Sequence, residues 1–355
     1  MSEVKKRIVF IDFIKLFLTC MVVAHHAGQA YGNTGGIWLV SDEPKLEYLR
    51  PFFFFNAAYM MGFYFFISGY FTFLSLNNKS VKKYLSDRFF RLAIPLLFFI
   101  FCIFGPLHYL LNETKTNYLT FLLDLHFNKP PLSVGHLWFV ASLLVYSLIY
   151  LAIIKLIKVK IQFSKTFNYW FPLIYLLFLI PINVWVRSIY PIDYWVTWII
   201  PIEVAHIPQY LSLFLLGALF NKTRWLEDIN PITGLSYFIL GIIIFISKDS
   251  IYNQLPTLWS ESIIESFLCV GLCLGVYTIT KKLVHHMNPF LKFLSENSYG
   301  IYLFHLLIVI GLQMILTKVA INTNLKFIIV TFLGILLSAF LSWILRKITF
   351  LKKIL

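Results

Sequence analysis

Ten runs of mostly apolar residues constrain the fold of this 355-residue chain more than any other feature. An α-helix needs about 20 such residues to cross the hydrocarbon core of a bilayer. The runs lie near residues 8–30, 52–75, 89–111, 136–158, 168–186, 205–221, 232–247, 258–280, 298–317 and 326–345. The sequence therefore predicts an all-α, polytopic membrane protein with ten transmembrane helices, of which the sixth and seventh are short.

The composition supports lipid as the main surroundings of the chain. Hydrophobic residues make up 59% of it and charged residues only 13%, whereas soluble domains contain about 25% charged residues. The mean hydropathy is +0.78. A soluble protein of this length would need more polar side chains to cover its surface. The lipid bilayer is therefore a predicted partner of the chain.

The formal net charge of +14 predicts an orientation. In membrane proteins Lys and Arg accumulate in cytoplasmic loops, so the excess does not indicate nucleic-acid binding. With the N-terminus inside, 21 of the 30 basic residues fall on the inner side and 8 on the outer side, while Lys15 lies within the first run. The sorting predicts a multi-pass protein of the cell membrane with both termini cytoplasmic.

A single transmembrane domain, residues 1–355, is predicted because no long Pro-, Gly- or Ser-rich linker divides the chain. The first run is predicted to be retained, because no small-residue cleavage site follows it. The four cysteines lie in apolar stretches without a CxxC pair, so neither a metal site nor a disulfide framework is predicted.

The first run carries a stripe of polar residues. Asp12, Lys15, Thr19, Val22 and His26 are spaced 3, 4, 3 and 4, which places them on one face of a helix. Asp12 and Lys15 can form an ion pair, whereas Lys15 and His26 lie roughly 16 Å apart. Ionisable residues within a span indicate a functional site. The structural alternative is that Lys15 reaches the interface and His26 ends the helix.

Three further polar clusters lie in or beside later runs. Each alone would fit an intramembrane hydrogen-bond network, but together with the first run they favour a buried polar cavity. The clusters are His136 with Trp138, Glu203 with His206, and Tyr302 with His305.

Two arginines precede the third run. Arg88 and Arg91 are spaced to lie on one side of a helix start. Guanidinium groups form bidentate bonds with phosphate oxygens, so this pair suits a phosphate-bearing ligand, although arginines at such a place also follow the positive-inside rule.

Several separated motifs resemble the acyltransferase type 3 family of membrane enzymes. Asp12, Lys15 and His26 match the family's opening pattern, with lysine in place of arginine, and Arg88-Phe-Phe-Arg91 resembles its paired-arginine motif. FYFFISGYF, GHLWFV and SYGIYLFH resemble its later helix motifs. The resemblance runs from about residue 11 to the C-terminus. His26, rather than the adjacent His25, has the family's spacing.

The resemblance implies transfer of an acyl group, acetyl or succinyl, from a coenzyme A thioester. The motif spacing most resembles stand-alone members that modify glycans of the cell envelope, including those that succinylate periplasmic glucans. It implies a carbohydrate or lipid-linked acceptor, O-acylation such as polysaccharide O-acetylation, and no metal.

We expect His26 to be the general base, because a neutral imidazole is available near pH 7. Glu203 is the leading candidate to orient it, and His136 is the third predicted catalytic residue. The expected coenzyme site is Arg88, Arg91 and Lys15. The residues expected to line the pore or bind substrate are Asp12, His25, Ser68, Trp138, His206, Tyr302 and His305.

Two other classes of protein remain open at this point. A secondary transporter of a polar or anionic metabolite also places polar residues inside the membrane. Its paired Gly- or Pro-interrupted helices are not apparent in the two halves of the chain. A structural or sensory membrane scaffold would not require the stripe of Asp, Lys and His.

Overall fold

The computed structural model describes residues 8–33, 38–111, 116–127, 134–156, 166–197 and 201–355. Eight of the basic residues used to predict the orientation lie outside this part of the chain, at positions 5–7, 115, 129, 158, 160 and 165. The orientation of the termini therefore stays a prediction.

Helices account for nearly all regular structure in the described residues. The spans are α1 Val9–Gly28, α2 Leu49–Asn78, α3 Val81–Leu107, α4 Gly135–Leu156, α5 Phe171–Ile189, α6 Val204–Thr223, α7 Pro231–Ile246, α8 Thr257–Leu283, α9 Ser298–Leu316 and α10 Thr323–Leu345. Among the described residues, nine of these helices are long and apolar enough to cross a membrane. The remaining one, α7, is followed by the short helix Lys248–Gln254 at an angle of 63°, and the two together would make a tenth span. The prediction of an all-α membrane protein is confirmed, with nine or ten spans.

Shorter elements connect the spans. The helices are Tyr118–Phe127, Trp225–Asp228 and Pro289–Glu296. Strands β1 (Trp195–Thr197) and β2 (Pro201–Glu203) form an antiparallel hairpin in which Trp195 pairs with Glu203. Since β2 leads directly into α6, the hairpin is held at the start of that span.

Two glycines allow α2 and α6 to pack backbone to backbone. A Cβ atom on Gly69 would lie 1.8 Å from the carbonyl oxygen of Phe214, and one on Gly217 would lie 1.9 Å from that of Phe66. Small residues allow this approach in membranes, where tight packing holds helices together. Both spans contribute to the polar cavity described below, so this contact positions its walls.

The middle of α3 departs from regular α-helix. Segments Phe89–Ala93 and Phe99–Phe104 are π-helical, a wider turn that shifts the side chains that follow around the helix axis. The first of these segments begins after Arg88 and contains Arg91. Arg88 and Arg91 line one cavity together, so the irregular turn lies where the two basic side chains converge.

Candidate active site

A polar cavity of about 300 Å³ lies beside the later half of α1. Side chains from α1, α2, α4, α6, α8 and α9, together with the β1–β2 hairpin, form its walls. Its polar and aromatic lining consists of His25, His26, Phe54, His136, Trp138, Asp193, Trp195, Glu203, His206, Tyr210, Glu265 and Tyr302. We call it the histidine cavity.

His26 is hydrogen-bonded through its ring to His305. Nδ1 of His26 lies 2.8 Å from Nε2 of His305, and Nδ1 of His305 lies 2.7 Å from the carbonyl oxygen of Tyr302. A carbonyl only accepts, so in neutral His305 the proton is on Nδ1 and Nε2 accepts. Neutral His26 must then donate from Nδ1. These hydrogen bonds leave Nε2 of His26 unprotonated, with a free lone pair. A general base needs such a lone pair to accept a proton.

The ring and backbone of His26 are held by two neighbours. Its ring stacks on Trp38, with centroids 5.7 Å apart. Nε2 of Gln313 donates to the carbonyl oxygens of His26 and Ala27, and Oε1 of Gln313 accepts from Nε1 of Trp38. This network ties the end of α1 to α9 and limits the positions that the imidazole can adopt.

His25 has different surroundings from His26. Nδ1 of His25 has a long contact of 3.5 Å with Nδ2 of Asn56, and its ring packs against Phe53. It lines the histidine cavity without joining the hydrogen bonds between His26 and His305. The geometry therefore favours His26 over His25 as the base, in agreement with the spacing in the sequence.

His136 lies beside His305, with ring centroids 4.8 Å apart. Its Nε2 donates to the carbonyl oxygen of Leu303 at 3.1 Å, and the hydroxyl of Tyr302 donates to the carbonyl oxygen of His136. Nδ1 of His136 is buried and has no hydrogen-bond partner among the described residues. In the neutral ring this nitrogen is an acceptor, so His136 offers the cavity a lone pair.

Glu203 does not contact His26, and its predicted role as the partner of that ring is wrong. Its carboxylate lies 3.0 Å from Nδ1 of His206 and accepts from the backbone N–H of Asp193. Burial raises the pKa of Glu203, but the hydrogen bonds with His206 and Asp193 outweigh it and hold the pKa below its ordinary value. The partner of His26 is His305, which was expected from the sequence to line the pore or bind substrate.

The pair of Glu203 and His206 belongs to a longer buried network. Nε2 of His206 lies 3.3 Å from Glu265, whose other oxygen lies 2.6 Å from Nη2 of Arg187. Because each ring nitrogen of His206 faces a carboxylate, an imidazolium satisfies both contacts. Two cations then balance two anions. Glu265 and Arg187 were not predicted, although Glu265 lies within an apolar run, where a charged residue is itself a signal.

A second cavity, of about 870 Å³, lies beside the beginning of α1 and is basic. Its basic lining residues are Lys15, Lys79, Lys83, Arg88, Arg91 and Lys353. The single acidic residue in its described lining, Asp87, is paired with Lys79 and Lys83. We call it the cationic cavity. The expected coenzyme residues Lys15, Arg88 and Arg91 therefore share one site.

Some of the basic groups in the cationic cavity are already oriented. The predicted ion pair of Asp12 and Lys15 is confirmed at 2.6 Å. The guanidinium of Arg88 lies over the ring of Tyr84 and donates to the hydroxyl of Thr72 at 3.3 Å. These contacts fix the direction of the cations before any ligand is present.

On the stripe of α1, Thr19 lies between Lys15 and His26 in the sequence and is hydrogen-bonded to Tyr64 of α2. The hydroxyl oxygens of Thr19 and Tyr64 lie 2.5 Å apart, and Tyr64 also donates to the carbonyl oxygen of Lys15. Lys15 lies on the cationic side of this pair and His26 on the other. Ser68, expected in the site, is half-buried on α2 and is not among the described residues that line either cavity.

Comparisons with known proteins show which family and which relatives this chain resembles. The family model for the acyltransferase type 3 domain matches residues 8–347. Glucans biosynthesis protein C of Shigella dysenteriae serotype 1 (strain Sd197) is 26% identical over 314 residues, which is 83% of this chain and 80% of the relative. The protein of that name from Escherichia coli (strain K12 / DH10B) is 24% identical over 313 residues, with the same coverage.

No solved structure matches the chain. The family match spans nearly all of the sequence, including the stripe of α1, the paired arginines and the polar residues of α9. The chain belongs to the acyltransferase type 3 family.

Proposed function

We propose that this protein moves an acyl group from cytoplasmic acyl-coenzyme A to a hydroxyl group of a glycan or other cell-envelope acceptor. The observation that carries the proposal is the pair of cavities along one face of α1, basic at Lys15 and containing histidines at His26. A donor that bears phosphates and an acceptor that bears hydroxyls need these two environments.

The cationic cavity suits the phosphates of coenzyme A. Arginine forms bidentate bonds with phosphate oxygens, and lysine adds point charges. Arg88 and Arg91 supply the first kind of contact and Lys15 and Lys353 the second. The pantetheine arm then has roughly 16 Å to cover along α1 to reach His26. Along this face it passes the hydroxyl pair of Thr19 and Tyr64.

The chemical step uses Nε2 of His26 as the base. It takes the proton of the acceptor hydroxyl while the hydroxyl oxygen attacks the thioester carbonyl carbon. The C–S bond breaks, and the proton passes from His26 to the leaving thiolate, so an ester and coenzyme A thiol form without net proton release. His305 accepts from Nδ1 of His26 throughout and stabilises the imidazolium, as the aspartate of a serine-protease triad does.

The other residues of the histidine cavity fit a sugar. The rings of Trp138, Trp195 and Tyr210 form one aromatic wall, in which Trp138 stacks on Tyr210. The carboxylate of Asp193 and the unpartnered Nδ1 of His136 can accept from sugar hydroxyls. We assign His136 to binding, with its unpartnered Nδ1 as the acceptor, and keep His26 as the base because His26 has the spacing of the family's opening pattern. The names of the relatives support a glucan-like acceptor.

The test is acyl transfer by the purified protein. Reconstituted protein is supplied with isotope-labelled acetyl- or succinyl-coenzyme A and a soluble glucan, and ester formation is followed by mass spectrometry. The proposal expects labelled ester and stoichiometric free coenzyme A. Uptake of a labelled metabolite into vesicles without ester formation would instead identify a transporter. In cells, mass spectrometry can compare surface glycans in the presence and absence of the gene. A mass increment that is lost without the gene would identify both the acyl group and the acceptor.

A further inference from the structure

A third polar cavity, of about 390 Å³, lies where α10 ends. The short helix Pro289–Glu296 before α9 and the residues that follow α10 form its walls. Its described lining residues are Pro289, Lys292, Phe293, Glu296, Asn297, Trp343, Arg346, Lys347 and Lys352. We call it the C-terminal cavity.

The C-terminal cavity is separate from the cationic cavity although both open at the same end of the bundle. The 3-10 turn Leu351–Lys353 runs between them, so that Lys352 lines the first and Lys353 the second. Phe350, just before this turn, contacts Phe90 at the start of α3. Among the described residues, none lines both cavities, so binding of an acyl donor in the cationic cavity does not account for the C-terminal cavity.

The excess of basic residues in the C-terminal cavity favours binding of an anion. Four basic side chains face one acidic side chain, Glu296. Arg346 donates from Nη1 to the backbone of Glu296, and its Nε is buried with no hydrogen-bond partner in the described part of the chain. The ammonium of Lys347 lies over the ring of Trp343, 3.6 Å from its centre. The described lining of this cavity therefore carries an excess of positive charge.

The surface beside the cavity identifies the kind of anion. Phe340, Trp343 and Ile344 on α10 are 53%, 41% and 41% exposed, and Ile348 beyond its end is 54% exposed. These side chains form an apolar strip that leads from the span to the basic cavity. A soluble phosphate has no apolar part that could contact this strip, whereas the hydrocarbon chains of a lipid would cover it.

We propose that the C-terminal cavity binds the headgroup phosphate of an anionic phospholipid, whose acyl chains lie along α10. Basic pockets between helices at the headgroup level bind such lipids by charge. The proposal is independent of the acyl-transfer reaction, because none of the residues involved faces the cationic or the histidine cavity.

The experiment is native mass spectrometry of the purified full-length protein titrated with phosphatidylglycerol or phosphatidylcholine. We expect one phosphatidylglycerol to bind in preference to phosphatidylcholine. Each basic residue near an anionic headgroup contributes about fivefold in affinity, so the triple variant K292Q/K347Q/K352Q is expected to bind roughly 100-fold more weakly. All three side chains are exposed, which limits effects on folding.

The matched control is K155Q/K222Q/K282Q, which removes three exposed lysines outside the described lining of the cavity. This variant is expected to retain the tightly bound lipid. Equal loss in both triple variants would show that only general surface charge matters and would overturn the site. Displacement of the lipid by glycerol 3-phosphate at similar concentration would identify a soluble phosphate ligand and would overturn the assignment to lipid.

Discussion

His26 donates from Nδ1 to Nε2 of His305 at 2.8 Å, across 279 residues of sequence. The second ring of this pair is itself held by the carbonyl oxygen of Tyr302, which leaves it a single neutral tautomer. A base on α1 is therefore oriented by a side chain on α9, and the direction of its lone pair depends on how these two spans pack.

Removing the base is expected to abolish most acyl transfer. General-base catalysis typically contributes about 10²- to 10⁴-fold to a rate, so His26→Ala should lower kcat by that order while acyl-coenzyme A still binds. His25→Ala is the matched control on the adjacent residue, and its kcat should stay within about fivefold of wild type, since His25 makes no contact with His305. Equal losses of kcat in the two variants would contradict the assignment of His26 as the general base.

Substitutions of His305 should separate orientation from packing. Gln can still accept a hydrogen bond from Nδ1 of His26, whereas Phe cannot. We expect His305→Phe to lower kcat by roughly 100-fold with little change in the KM for acyl-coenzyme A, and His305→Gln to retain much more activity. Steady-state kinetics with varied donor would measure both constants. Identical kcat values for the two variants would mean that the hydrogen bond to His26 has no role in catalysis.

Arg88 and Arg91 should govern donor affinity rather than the chemical step. Hydrogen bonds to charged groups contribute about 1.5–3 kcal/mol each. Loss of one such bond at each arginine, about 3 kcal/mol in all, should raise the Kd for coenzyme A by about 100-fold or more in the double variant R88Q/R91Q. Isothermal titration in detergent measures this directly. Lys222→Gln removes an exposed lysine outside the described lining of the cationic cavity and should leave the Kd unchanged. An unchanged Kd in the double variant would exclude this cavity as the donor site.

The ion pair of Glu265 and Arg187 should matter for stability. Arg187 is 1% exposed and Glu265 is 7% exposed, and removing one partner of a buried pair costs about 3–5 kcal/mol because the other charge stays buried. We expect Glu265→Gln to lower the thermal midpoint markedly. Glu261→Gln, one turn away on α8, should have a small effect. A double variant, Arg187→Met with Glu265→Leu, should recover much of the loss, and a failure to recover would point to a role beyond charge balance.

Glu203 should make the protein less stable in acid. Its pKa is held below the ordinary value, so its contribution is complete above the unfolded-state pKa of about 4.3 and is lost as the pH falls through the lower folded-state pKa. Wild type should therefore be more stable than Glu203→Gln near neutral pH, and the difference should shrink below about pH 4. Thermal midpoints measured across pH would test this. A constant difference would show that ionisation of Glu203 does not contribute.

Local spacing was enough to predict the spans and the polar stripe of α1. Each of the ten predicted runs overlaps a helix of the structure, because the length of apolar sequence needed to cross a bilayer does not depend on tertiary contacts. The pair of Asp12 and Lys15 was predictable for the same reason, since residues three apart are always neighbours on a helix.

Contacts between distant helices could not be predicted in this way. Helical periodicity gives the face on which His26 lies, but it does not give the height or rotation of α9 relative to α1. Glu203 was the chemically obvious partner, yet the hairpin places it against His206 and the packing of α9 brings His305 to His26.

The sequence alone therefore determined the membrane class, the spans and the residue types available for catalysis, since these follow from hydrophobic length and helical spacing. The tertiary structure decided which nitrogen is free to act as the base and which charges neutralise one another. The physical reason is that hydrogen bonds and ion pairs act over about 3 Å, and only the packing of the spans brings residues from separate helices within that distance.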